Sequence, residues 1–554
     1  MSAERVGGRR VFSATDYEAD FVIVGAGSAG CVLAERLSRN GRHSVIVLEA
    51  GGSDRRFWIN VPLGYGRLFY DRGVNWMFET VADPGLDGRR DYWPRGKVLG
   101  GSSSINAMVY IRGQQRDYDG WAAEGNVGWG WDDVAPVFAD LEDHGAAHDG
   151  APRVAISDVS AHAHPLSRRL IEAGEALQLP FNPDFNGATQ EGTGYYRLSR
   201  CARGRRMSAA RAFLRPARRR ANVRVLSGVT VERIIFDGQR ATGVVAREAG
   251  RAGRGGSPIA IRARRETVLA AGAIGSPHLL QLSGIGPGDG LQTLGVSPVV
   301  VNPNVGAHLQ DHLGYSFFFR ARHATLNQQL DTWPKRVKAG LDYLIRRRGP
   351  LSLSVNQSGG FFRTPSSDVP NMQLYCQVLT TLSARHAERP LLMPDPFPAF
   401  SLGISSCRPK SRGTVQAVSA DPHMPTAIQP NSFSHPDDMR EMVEGAQYIR
   451  RMSDTPALRD EIESEVAPGV ACMTDADFEA DIRARAGTTF HPCGTCRMAP
   501  DAADGVVDPR LRVHGVEGLR VVDASVFPHI VSGNLNGPAM MTGAKGAAFI
   551  LADC

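Results

Sequence analysis

Apolar residues follow two rhythms along this chain. Phe21, Val22, Ile23 and Val24 form an unbroken run, and Val45, Ile46, Val47 and Leu48 form another. Runs of this length suit strands covered on both faces, as in a parallel sheet. Between them Leu33 and Leu37 stand at helical spacing, so residues 20–49 predict a strand–helix–strand unit with its helix over 28–37. The buried-strand pattern returns at 267–271 and 520–522, and 229–234 predicts one more sheet strand. From about 313 to 490 the rhythm shortens. Strand-like pieces such as 316–319 and 372–375 alternate with turns, and residues 333–348 predict one amphipathic helix. No internal repeat stands out. The Gly-, Arg- and Ser-rich stretch 246–258 predicts an exposed hairpin loop, and the Pro-rich stretch 385–400 an irregular, mobile segment. The predicted class is α/β, α+β overall, with lobes interleaved in sequence.

Composition narrows the function. At 554 residues the chain exceeds the roughly 250–300 at which one hydrophobic core stops growing, so two lobes are expected. A net charge of +6, spread along the chain, does not imply nucleic-acid binding. The clusters 203–206 and 215–220 read as a solvated arginine-rich face, with contact to an anionic membrane as the other reading. Eight scattered cysteines are too sparse for a disulfide framework and fit a cytoplasmic protein, with peripheral contact at the inner membrane left open. Arg9-Arg10-Val11-Phe12 faintly resembles a twin-arginine export signal, but the apolar run after it is needed as a strand, so export is disfavoured. No window is long and apolar enough to span a bilayer.

Chemistry enters with Gly25-Ala26-Gly27-Ser28-Ala29-Gly30, placed between the first predicted strand and helix. Gly25 permits the tight turn, Gly27 lets backbone approach a pyrophosphate, and Gly30 lets helix pack on strand, while Ser28 opens the helix whose N-terminus faces the phosphates. Glu49 ends the second strand, nineteen positions after Gly30, where a carboxylate bonds ribose hydroxyls and repels a 2′-phosphate. NAD and FAD both use this turn, so the turn alone leaves the dinucleotide open.

Two further stretches are Gly96-Lys97-Val98-Leu99-Gly100-Gly101-Ser102-Ser103-Ser104-Ile105-Asn106 and 272–286, which begins Gly272-Ala273-Ile274-Gly275-Ser276-Pro277. With His491-Pro492-Cys493-Gly494-Thr495, Val521-Val522-Asp523-Ala524 and Gly533-Asn534-Leu535-Asn536-Gly537-Pro538, they resemble the signatures of the glucose-methanol-choline (GMC) oxidoreductases, on the choline dehydrogenase and hydroxymethylfurfural oxidase branch. The resemblance implies a Rossmann-like FAD-binding lobe with an interleaved antiparallel-sheet substrate lobe. It divides the chain into 18–315, mainly FAD-binding; 316–404, a substrate-lobe insert; and 405–550, returning to the FAD lobe with the catalytic pair. It implies FAD rather than NAD, contacted by Gly100, Gly101, Ser102, Asn106, Val231, Asp523, Ala524 and Gly537 besides the first turn. Some members bind flavin covalently through a histidine just before the Asn; Ile105 stands there, which implies non-covalent FAD.

Alcohol oxidation removes a proton from oxygen and a hydride from carbon, and histidine suits the first task. The resemblance makes His491 that base, with Asn536, forty-five positions on, orienting the oxygen, and flavin N5 accepting the hydride. His308, Asp311 and His312 resemble a structural turn of the family. Cys493 and Cys496 lack the further ligands a zinc site needs, so no metal is expected. Choline dehydrogenases carry a glutamate where this chain has Gln357, and a cationic substrate wants that charge. The expected substrate is therefore an uncharged primary alcohol, with a quinone or O2 as electron acceptor. A choline dehydrogenase and a redox-silent hydroxynitrile lyase are the other readings.

Overall fold

The computed structural model describes residues 5–6, 9–10, 17–145, 150–248, 256–381 and 394–554. Five helices matter below: α1 (Ser28–Ser38), α2 (Gly272–Leu282), α3 (Trp333–Arg346), α4 (Pro436–Ser453) and α5 (Asn536–Ala552). Two seven-stranded sheets organise the chain.

The first sheet runs in the order Val223–Ser227, Val45–Glu49, Tyr17–Val24, Pro258–Leu269, Arg240–Glu248, Val229–Asp237. Its first four strands are parallel and the last two pair antiparallel. Leu519–Val521 pairs parallel with the far half of Pro258–Leu269, opposite Thr267 to Leu269. The continuous apolar runs become central strands because helices cover both faces: Phe21, Val22, Ile23, Val45 and Val47 are all buried. Helix α5 crosses α1 so closely that a Cβ on Gly543 would sit 2.7 Å from the carbonyl oxygen of Ala29.

The second sheet is antiparallel, in the order Ile462–Ala467, Leu313–Ala321, Ala399–Ser406, Met372–Gln377, Asn356–Phe362, Gly192–Tyr195. Alternation decides its faces. Tyr315, Phe317 and Phe319, with Met372, Leu374 and Cys376, join a core that includes Met439, Met442, Val443, Ala446 and Ile449 of α4. The intervening Ser316, Phe318, Tyr375 and Gln377 face the large cavity between the two sheets. The sheet is thus a roof with an oily upper side and a mixed underside.

Several sequence expectations change in detail. The hairpin arms Arg240–Glu248 and Pro258–Leu269 pair with Arg247 opposite Pro258, while the tip at 249–255 lies outside the described residues. Most of the Pro-rich stretch, 382–393, lies outside them too, as do residues 11–16 after the twin arginine. The two arginine clusters are not simply solvated. Arg206 is 1 % exposed, Arg215 pairs with Asp54 at 2.7 Å, and Arg220 pairs with buried Glu35 at 2.7 Å. Among the described residues, no helix is long and apolar enough to cross a membrane.

Candidate active site

The first glycine turn sits where three strand ends meet. Gly25 adopts φ +102° and a Cβ there would lie 2.4 Å from the Ala270 carbonyl oxygen, so no side chain fits. A Cβ on Gly30 would lie 2.0 Å from the Gly25 carbonyl oxygen, which is how α1 seats on the turn. Glu49, buried at its strand end, accepts from Ala26 N (3.0 Å) and Gly51 N (2.8 Å), and burial pushes its carboxyl up to about 7. Each oxygen retains a second acceptor position for a ribose hydroxyl.

The second glycine loop leans on the first. Gly100, at φ +92°, donates its N–H to Ala26 O (2.7 Å), and a Cβ on Gly101 would come within 2.8 Å of Gly27 Cα. Asn106 accepts at Oδ1 from the buried Arg206 (2.6 Å) and from Met108 N (3.1 Å), which fixes which end of its amide donates. Asp523 accepts from Gly272 N (2.8 Å), Ser276 Oγ (2.6 Å) and Ser525 N (2.8 Å), tying the last strand of the sheet to the start of α2.

One cavity of about 2010 Å³ joins these parts to the roof. Gly25, Gly27, Ser28, Glu49, Gly101, Ser102, Asn106, Val231, Asp523 and Ala524 line it, and His491, Asn534 and Asn536 line it as well. Gly30, Gly100 and Gly537 are not on its wall: they let backbone segments approach, Gly537 lying where a Cβ would be 2.8 Å from the Ile111 carbonyl oxygen.

His491 is held at every atom that matters. Its N–H donates to Asp311 Oδ1 (2.7 Å), Phe490 before it takes the left-handed φ of +71°, and Arg95 donates to the Phe490 carbonyl (2.6 Å). A non-glycine residue in that region is strained, and these bonds stabilise the turn that aims the imidazole. Thr489 Oγ1 donates to His312 O (2.9 Å), so it accepts from His491 Nδ1 at 3.1 Å. That places the ring proton on Nδ1 and the lone pair on Nε2. Burial, with His312 and Arg95 nearby, holds the His491 pKa well below its usual value, so the ring is neutral. Behind it, burial pushes Asp311 up to about 7, opposed by bonds from Thr488 and His491 N and by Arg95. Sequence reading placed Asp311 in a turn; in the structure it is the anchor of the histidine backbone.

The partner of His491 is not the residue expected. Asn534 Nδ2 donates to His491 Nε2 at 3.1 Å, and Gln373 donates to Asn534 Oδ1 at 3.2 Å, which locks the amide in that sense. Asn536 instead accepts at Oδ1 from Ser28 Oγ (2.8 Å), at the start of α1. The reason is local: Leu535 is already in the right-handed helical region as the N-cap of α5, so the backbone curls between the two asparagines and sends their side chains apart. Both stand in one short motif, and the sequence offered no signal for choosing between them. Arg95 and Thr489 likewise carried none.

Gln357 also differs from expectation. It is buried outside the cavity wall, accepting from His164 N (2.6 Å) and donating to Ser354 O (3.2 Å); Asn356 is the residue that lines the cavity. Cys493 and Cys496 are buried free thiols.

A parallel-sheet lobe with glycine turns at its strand ends, under an antiparallel roof carrying a neutral histidine, defines an oxidoreductase built around a dinucleotide. The chain belongs to the GMC oxidoreductase family: the family's N-terminal model matches residues 19–314 and its C-terminal model residues 409–543. It is 38 % identical to an alcohol dehydrogenase [acceptor] of Pseudomonas putida, over 96 % of this chain and 95 % of that one. It is 37 % identical to an oxygen-dependent choline dehydrogenase of Rhizobium johnstonii, over 96 % of each. Among solved structures, pyridoxine 4-oxidase from Mesorbium loti matches with a TM-score of 0.83 at 31 % identity, over 96 % of this chain and 98 % of that one. The protein is an FAD-dependent oxidoreductase acting on alcohols. Its residues fit that cofactor: glycine at 25 and 101 lets the two turns close against Ala270 and Gly27 and present bare backbone to the cavity, which runs from Glu49 and Val231 to His491 without a break.

Proposed function

We propose that this chain oxidises an uncharged primary alcohol, aliphatic or aryl, to the aldehyde, with His491 Nε2 as the base. The observation that carries this reading is a neutral imidazole whose lone pair meets a donating amide at the cavity wall. An alcohol oxygen both donates and accepts, so it satisfies Nε2 and Asn534 Nδ2 at once. As the proton moves to Nε2, the Asn534 N–H stabilises the developing alkoxide, while the Nδ1 bond to Thr489 keeps the ring from turning. FAD, when bound, supplies the hydride acceptor at the carbinol carbon.

Gly25, Gly27 and Ser28 would hold the pyrophosphate over α1, Glu49 the ribose, and the backbone at Val231 the adenine. Gly101, Ser102 and Asn106 would bear on the flavin, with Gly100 shaping their loop from behind, and Asp523 and Ala524 would lie along the ribityl chain. Asn536, turned to Ser28, belongs to this set rather than to the base. Ile105 offers no nucleophile, so FAD is held without a covalent bond. Electrons pass on to a quinone-type acceptor or to O2.

Charge supports a neutral substrate. Seven Lys and Arg line the cavity against four Asp and Glu, and three of those acids, Glu49, Asp91 and Asp523, are bonded to backbone amides. A cation finds little to offset its desolvation there. The test is anaerobic mixing of the yellow protein with benzyl, furfuryl and alkyl alcohols and with choline, following loss of flavin absorbance. Bleaching by the neutral alcohols is expected; choline far exceeding them, or no bleaching by any alcohol, overturns the reading.

A further inference from the structure

We propose that the exposed face of α3 docks on an anionic lipid bilayer and sets the mouth of the cavity against it. Helix α3 is apolar on two sides. Ala339 and Tyr343 face inward and are buried, and the Tyr343 hydroxyl donates to Asn60 O at 3.2 Å. On the opposite side, Trp333, Val337, Leu341, Leu344 and Ile345 fall within about a third of the helix circumference at 3.6 residues per turn. All five stand in solvent, Trp333 being 74 % and Ile345 76 % exposed. Contiguous large apolar side chains on a water-facing helix mark an interaction surface. The neighbouring short helix Phe57–Asn60, which supplies that Asn60 carbonyl, adds Phe57, also exposed.

The charge around this face selects the occupant. Residues 331–348 hold six Lys and Arg against two Asp. Lys335 pairs with Asp331 and Arg346 with Asp342, leaving Arg336, Lys338, Arg347 and Arg348 in surplus. An apolar stripe with a terminal tryptophan and flanking cations is the make-up of a helix that lies in a membrane interface. A second copy of this chain is disfavoured, because two-fold pairing would bring the surplus against itself. The arginine clusters at 203–206 and 215–220 do not offer such a face, since Arg206 is buried and Arg215 and Arg220 are paired.

The same helix borders the cavity, whose wall includes Arg336 together with Leu330 and Leu351 on either side of α3. A docked molecule would therefore open toward the lipid, where an amphiphilic alcohol or a quinone-type acceptor concentrates. That consequence rests on the function proposed above; the docking does not.

Flotation of the FAD-loaded protein with vesicles of phosphatidylcholine, with and without phosphatidylglycerol, tests it without any turnover. Binding is expected only with phosphatidylglycerol and is expected to weaken steeply with salt, each basic residue near the surface contributing about fivefold. Leu341→Ser with Ile345→Ser, and separately Lys338→Glu with Arg348→Glu, should each lower binding about tenfold or more. Both pairs should keep FAD and turnover of a water-soluble alcohol, and Val470→Ser, an exposed apolar position outside this face, should bind as the parent does. Absence of flotation at low salt, or equal binding to neutral vesicles, overturns the proposal. So does a dimer in light scattering that Leu341→Ser with Ile345→Ser dissolves while vesicle binding stays nil, which would make the face a subunit contact.

Discussion

Thr489 decides which nitrogen of His491 is basic, and Asn534 decides where that nitrogen looks. Replacing His491 by Ala should slow anaerobic flavin bleaching by about 100-fold or more. The two asparagines separate cleanly. Asn534→Ala should slow bleaching by about 100-fold with FAD retained, the scale of a lost oxyanion donor. Asn536→Ala should instead weaken FAD retention, read by fluorescence of released flavin, and leave the saturated rate near that of the parent. Because burial holds His491 below its usual 6.5, the bleaching rate should show no acid limb near pH 6.5; an inflection there would mean a solvated ring. Asp311 has the opposite sign, raised from 3.8 to about 7. Its protonated form is favoured by folding, so its contribution to stability is complete below 3.8 and is lost as pH rises through about 7. Asp311→Asn lacks that loss, so chemical denaturation at several pH values should show the variant gaining on the parent between about 4 and 7 and no further above that range. The motif pointed to His491, which stands on the cavity wall. The choice of asparagine was not legible, since it depends on a backbone bend at Leu535 that leaves no mark in composition.

At the level of elements, the strand–helix–strand unit was readable almost to the residue: α1 ends at Ser38 where 37 was expected, and Tyr17–Val24 extends three residues earlier. Continuous apolar runs and glycine spacing are local signals, and local signals survive folding. The orientation of α3 was not readable. Its pattern announced an amphipathic helix, yet amphipathicity does not say which side meets the protein, and here the broader apolar stripe faces outward. The roof sheet sat between these cases. Alternation in 315–319 and 372–377 predicts two faces, but only the packing of α4 shows which of them is the ceiling of the cavity. Gly30→Ala tests the element scale: its Cβ would meet the Gly25 carbonyl oxygen at 2.0 Å, backbone that cannot step aside. Overpacking of this kind costs about 1–3 kcal/mol, and the purified variant should be colourless.

Across the whole molecule, the cofactor cavity is built from segments hundreds of residues apart, Ser28 bonding Asn536 and Arg95 bonding Phe490. A ligand filling that seam binds only the folded form. The melting temperature should therefore rise with free FAD, by about 2.7 kcal/mol of added stability at a hundredfold excess over the dissociation constant. A melting temperature indifferent to FAD would mean that the lobes hold together without it. The seam also has a consequence during synthesis. The far half of Pro258–Leu269 pairs with Leu519–Val521, and α1 is covered by α5, both made more than two hundred residues later. Until the ribosome has delivered residues 519–552, the emerging sheet carries an open edge of the kind that invites mispairing, and the nucleotide cradle lacks a wall. Nascent chains stalled short of 519 should accordingly be chaperone clients that retain no flavin, however complete their glycine turns.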